Sequence, residues 1–89
     1  HSLVLRLLSQ EIAGQIQSLA RAAAAGDRAA LVRGAHKLRG GCGQLGARAL
    51  AEASAELEHE AHQAAPGELA RRVAWLHECH RATLELLRQ

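Results

Sequence analysis

Apolar residues recur every three or four positions along nearly the whole chain, and the recurrence separates into four runs, each in phase with one face of a helix. The first sets Leu5, Leu8, Ile12, Ile16, Leu19 and Ala23 on one stripe and predicts a helix over about 3–24. The second, Leu31, Ala35, Leu38, Cys42 and Leu45, predicts a helix over about 27–43. The third, Ala47, Leu50, Ser54, Leu57 and Ala61, predicts about 47–63, and the fourth, Leu69, Val73, Leu76, His80, Thr83 and Leu87, about 66–88. The breaks carry stop and start signals. Gly26 suits the position just past a helix end, Asp27 suits an N-cap, and Pro66 suits a first helical residue, where its missing N–H has no partner to lose. Connections this short force consecutive helices to run antiparallel. The fold expected is all-α, an antiparallel up-down-up-down four-helix bundle forming one domain over 1–89. No strand alternation, internal repeat or low-complexity linker interrupts it, although Ala22–Ala25 is locally monotonous.

Composition narrows what such a bundle can do. Of the 89 residues 48% are apolar, mostly Ala and Leu, with no Phe, Tyr or Met and Trp75 the single aromatic. Small side chains favour close helix packing, and a domain of this size has little room for a deep substrate pocket, which argues against an enzyme with its own nucleotide site. No apolar run approaches the roughly 18 residues needed to span a membrane. A chain that opens on His1 and Ser2 and holds no methionine is expected to be a domain cut from a longer protein, with those two residues left over from cloning. The net charge of +2 hides an asymmetry: Arg28, Arg33, Lys37 and Arg39 oppose only Asp27 on the second helix, whereas Glu52, Glu56, Glu58 and Glu60 oppose Arg48 on the third. A basic helix beside an acidic one, without an aromatic platform, argues against nucleic-acid binding. It suits an acidic protein partner instead.

The basic helix carries His36, about 100° around the wheel from Ala35 and so just outside the buried stripe. Its own face continues with Arg39, Gly40 and Gly43. Glycine inside a helix costs roughly 1 kcal/mol relative to alanine, so Gly40, Gly41 and Gly43 call for a reason other than helix stability. A surface without side chains would let another protein bring a reactive group up to the imidazole.

Here the chain resembles the histidine-containing phosphotransfer domains of bacterial multistep phosphorelays, some of which end hybrid sensor histidine kinases. The family pattern Ala-His-x-Leu-Lys-Gly is met by Ala35-His36-Lys37-Leu38-Arg39-Gly40, its Gly-Ala-x-x-Leu by Gly46-Ala47-Arg48-Ala49-Leu50, and its Leu-Glu by Leu57-Glu58. Ala25-Gly26-Asp27-Arg28-Ala29-Ala30-Leu31 is similar to the family's first inter-helix turn. Arg39 departs from the usual lysine, keeping the charge but presenting a planar fork. The resemblance implies a phosphocarrier without a kinase site: His36 accepts a phosphoryl group from a receiver-domain aspartate and yields it to the aspartate of a response-regulator receiver. The receivers would supply Mg²⁺, the domain itself holding no cofactor or metal. Arg39, with Lys37 or Arg33 at the flanks, would meet the phosphoryl charge, and Gly40 and Gly43 would keep the approach open. Glu58 would orient a ring N–H, although an ordinary exposed helix acid would look the same. The setting implied is cytoplasmic, including the cytoplasmic part of a membrane-bound sensor kinase, with no membrane contact by this domain.

Two other readings come from the residues themselves. His59 and His62 on the third helix and His77, Cys79 and His80 on the fourth could in geometry bridge a zinc ion, but no four-ligand spacing motif is present and His80 lies on a buried stripe. A Cys42–Cys79 disulfide is conceivable, and a cytoplasmic setting disfavours it. The alternative function is a helical docking module without chemistry, which would have no need of His36, Arg39 and Gly40 together.

Overall fold

The computed structural model describes residues 2–45 and 48–88, with side chains from 3 to 42 and from 48 to 86. Gly43, Leu45 and Leu87 therefore have no described surroundings, and Gly46 and Ala47 lie outside the described residues. Four helices, α1 (Ser2–Ala25), α2 (Arg28–Leu45), α3 (Arg48–Glu60) and α4 (Pro66–Arg88), form the whole of the regular structure among the described residues. Each packs on two neighbours, α1 on α2 and α4, α3 on α2 and α4. With short connections this ring is an antiparallel four-helix bundle. Its long dimension, 39 Å against 18 and 16 Å across, is close to the length of one helix of α4's size at about 1.5 Å per residue.

The first connection is built by the residues that announce it. Gly26 adopts φ 70°, the left-handed conformation that glycine enters without a Cβ penalty. Its N–H donates to Ala23 O (3.2 Å) and that of Asp27 to Ala22 O (2.9 Å), the paired bonds of a Schellman end. Asp27 then turns from C-terminal to N-terminal duty: its carboxylate accepts the Ala30 N–H at 3.1 Å and starts α2. Pro66 opens α4, where the first ladder bond runs from Leu69 N–H to Ala65 O at 3.0 Å.

Two expectations need correction. The third helix ends at Glu60, not near Gln63. Ala61 stays in phase and is buried, but the N–H groups of both Gln63 and Ala64 converge on Glu60 O. The carbonyls of Ala61 and Ala64 are meanwhile taken by the guanidinium of Arg28, whose Nη1 donates to them at 2.8 and 2.7 Å. Arg28 therefore caps α3 and does not belong to the charge around His36. The second correction concerns Leu5, Leu8 and Ala23, which are half-buried because they lie in the end turns of α1, where neighbours cover them from fewer sides.

The core is otherwise drawn from the stripes, Ile12, Ile16 and Leu19 of α1, Leu31, Ala35, Leu38 and Cys42 of α2, Leu50 and Leu57 of α3, and Leu69, Val73 and Leu76 of α4, together with Ala61 beyond α3, and it gains Ala53 and Cys79 from positions beside the third and fourth stripes. Polar stripe positions are satisfied locally. Ser54 Oγ donates to Leu50 O (2.8 Å) and Thr83 Oγ1 to Cys79 O (2.9 Å), each one turn back. His80 Nε2 lies 3.2 Å from Ser9 Oγ and joins α4 to α1. At Gly34 the buried Leu19 of α1 packs directly on the α2 backbone, since a Cβ there would stand 2.7 Å from Leu19 Cδ2. No helix among the described residues is long and apolar enough to cross a membrane.

Candidate functional site

Burial of Ala35 and Leu38 fixes the rotation of α2 and leaves His36 outward, its side chain 65% exposed. Burial of Leu57 does the same for α3, delivering the next residue, Glu58, to the seam between the helices. The two meet there: His36 Nδ1 is 3.0 Å from Glu58 Oε2. Arg39, one turn along α2, brings Nη2 to 3.1 Å from the same Nδ1 and Nη1 to 3.5 Å from Glu58 Oε1. The carboxylate is the least exposed of the three, at 23% against 45% for the arginine.

These distances restrict the imidazole. A neutral ring carries one N–H and one bare nitrogen, and Nδ1 has a single in-plane direction for either. Facing a carboxylate, Nδ1 bears the hydrogen and donates it, which leaves the Nε2 lone pair directed to solvent. That is the form in which Nε2 is a nucleophile. Facing the guanidinium, Nδ1 must be bare, because arginine only donates. Glu58 and Arg39 therefore favour opposite proton positions on one ring.

The remaining expected site residues fall on two sides. A Cβ at Gly40 or Gly41 would meet nothing within 4 Å, so neither glycine is needed for packing inside this domain. Gly43 lies outside the described side chains. Arg33 and Lys37 are exposed, about 60° and 100° around α2 from His36 on the side away from Arg39 and α3. They flank the imidazole without reaching Nδ1. The sequence reading missed Gly34 and the capping role of Arg28. Gly34 sits in step with Leu31 and Leu38, a signal that could have found it, whereas the partners of Arg28 are 33 and 36 residues away and leave no local trace.

The other histidines and the cysteines are dispersed. His59, His62 and His77 are exposed, and His80 is buried against Ser9. Among the described residues no three His, Cys, Asp or Glu side chains are placed to hold a metal ion. Cys42 and Cys79 are buried and free, so the conceivable disulfide is not formed. Burial pushes the Cys42 thiol up to about 11, and burial followed by the charge of Glu78 raises that of Cys79. Both remain protonated packing groups at neutral pH.

Compared with known proteins, the chain matches the family model described as Hpt domain over residues 3–89, nearly its full length. No curated protein and no solved structure matches it.

Proposed function

This chain belongs to the Hpt-domain family, whose members are phosphocarriers that exchange phosphoryl groups with receiver domains in phosphorelays, and on that premise we propose His36 as its phosphoacceptor. The observation that supports this most is the Glu58 contact at Nδ1 of a ring that is otherwise exposed. In the accepting step the Nε2 lone pair attacks the phosphorus of a receiver aspartyl phosphate. The N–P bond forms, the P–O bond breaks, and the aspartate leaves as a carboxylate. The reverse sequence, with a response-regulator receiver, discharges the domain. Orientation of the nucleophile is the contribution of Glu58, and positive charge beside the transferring group that of Arg39, with Lys37 and Arg33 at longer range. A Cβ at Gly40 would enter open space, so the approach is flat there, and we assign Gly43 the same role from its place in the sequence. We assign Mg²⁺ to the receiver partners, and the setting to the cytoplasm, where hybrid sensor kinases keep their receivers.

The test is incubation with phosphorylated receivers, followed by detection of acid-labile, base-stable phosphate on this chain. His36→Gln should keep the helical circular dichroism and unfolding midpoint of the parent, since the residue is exposed and glutamine is an adequate helix former. It should accept no phosphate at all. Acceptance at the parent rate would remove His36 from the site.

A further inference from the structure

The atom that Glu58 holds is also the atom that Arg39 reaches. Nδ1 of His36 lies 3.0 Å from a carboxylate oxygen and 3.1 Å from a guanidinium nitrogen, yet it can serve only one of them at a time. We propose that Arg39, by competing with Glu58 for Nδ1, sets how long a phosphoryl group stays on Nε2. The proposal rests on the assignment of His36 as phosphoacceptor and makes Arg39 a positioning residue for the proton, apart from any contact with phosphoryl oxygens.

The chemistry follows from where the hydrogen sits. With Nε2 phosphorylated and Nδ1 still protonated, the ring departs as neutral imidazole: the phosphorus passes to a water or carboxylate oxygen, and the N–P electron pair returns to Nε2. That ring is the Nδ1–H form which Glu58 favours and which accepts the next phosphoryl group. With Nδ1 bare, the same cleavage would expel an imidazolate unless a proton arrived, so the N–P bond persists. The bare Nδ1 is an acceptor for Arg39, and the proton it gave up goes to solvent. Glu58 thus favours the form that discharges, and Arg39 the form that stores. Arginine suits the second task because it has no proton-accepting site and cannot exchange roles with the ring. Arg33 and Lys37, on the far flank, do not enter this competition.

The experiment phosphorylates the domain with phosphoramidate, a small-molecule donor, so that no receiver affects the result. It follows loss of acid-labile phosphate at neutral pH and reads the His36 imidazole by ¹⁵N NMR. Arg39→Ala should shorten the phosphohistidine half-life by about tenfold, the factor that one hydrogen bond to a charged group can supply, and should move Nδ1 to its protonated signature. Arg39→Lys should restore part of the half-life together with the bare-nitrogen signature. Glu58→Gln should lengthen the half-life, since an amide can donate to the bare nitrogen. An unchanged half-life in Arg39→Ala overturns the proposal. So does a shortened half-life with Nδ1 unchanged, because Arg39 would then act on the phosphoryl oxygens alone. Absence of phosphate from His36 in the parent protein removes the phosphoacceptor assignment itself and this inference with it.

Discussion

Gly34 and Gly40 stand six residues apart on α2, and substitution separates their purposes. A Cβ at Gly40 enters open space, so Gly40→Ala should raise stability by about 0.5–1 kcal/mol through helix propensity alone. Gly40→Leu should be as stable yet slow phosphoryl exchange with a receiver at least tenfold, because its side chain would lie over the turn that holds His36. Gly34→Ala gains the same propensity, but its Cβ would stand 2.7 Å from Cδ2 of the buried Leu19. Overpacking costs about 1–3 kcal/mol, so the net change should be a loss. Urea unfolding of the three variants, with transfer assays on the two at Gly40, checks these signs. A stable Gly40→Leu that exchanged phosphate normally would show that the glycine does not serve access. The exposure of His36 could be read from the sequence because its neighbours Ala35 and Leu38 fix the rotation of one helix. The contact with Glu58 could not, since it joins two residues 22 apart in the chain and depends on how their two helices are set against each other. Only the family resemblance drew attention to that carboxylate.

At the scale of elements, the end of α1 and the start of α2 were written locally and the end of α3 was not. Gly26 and Asp27 supply their own turn, so a reading of spacing and cap residues finds it. α3 stops where Arg28 of another helix takes the Ala61 and Ala64 carbonyls, and the apolar period runs past that point without a sign. Arg28→Ala should therefore destabilise the bundle by about 2 kcal/mol, the loss expected when charge-assisted bonds to partly buried carbonyls are removed. Arg28→Lys keeps the charge but has lost the planar fork, and should recover less than half of that. Phosphoryl acceptance by the folded protein should stay at the parent rate in both, because the cap lies at the start of α2, two turns from His36. Chemical denaturation beside a transfer assay separates these outcomes. Equal losses of transfer and stability would place Arg28 in the site after all.

For the molecule as a whole, the ring of helices, its handful of polar inclusions and its outward histidine follow from four stripes whose periods agree with one another. The stripe position least suited to a core is His80, and it makes the stability of the bundle depend on pH. Burial, and after it the charge of His77, lower the His80 pKa below the ordinary histidine value of 6.5. In the unfolded chain the ring is free to take a proton at that ordinary value. Between the two values the unfolded state binds more protons than the folded one, so stability falls as pH falls. Above about 6.5 both states are neutral and the term vanishes. It grows as pH drops below that, and becomes constant once the folded pKa has been passed. Glu68 and Glu78, whose pKa values are lowered by hydrogen bonds to Arg71 and Arg81, contribute in the same direction only below their ordinary 4.5, outside this window. Unfolding free energies taken from pH 7.5 down to 5.5 should therefore fall more steeply for the parent than for His80→Gln, which cannot titrate but can still bond Ser9. Equal slopes would mean that His80 accepts its proton as readily inside the bundle as outside, and that the pair with Ser9 opens at little cost.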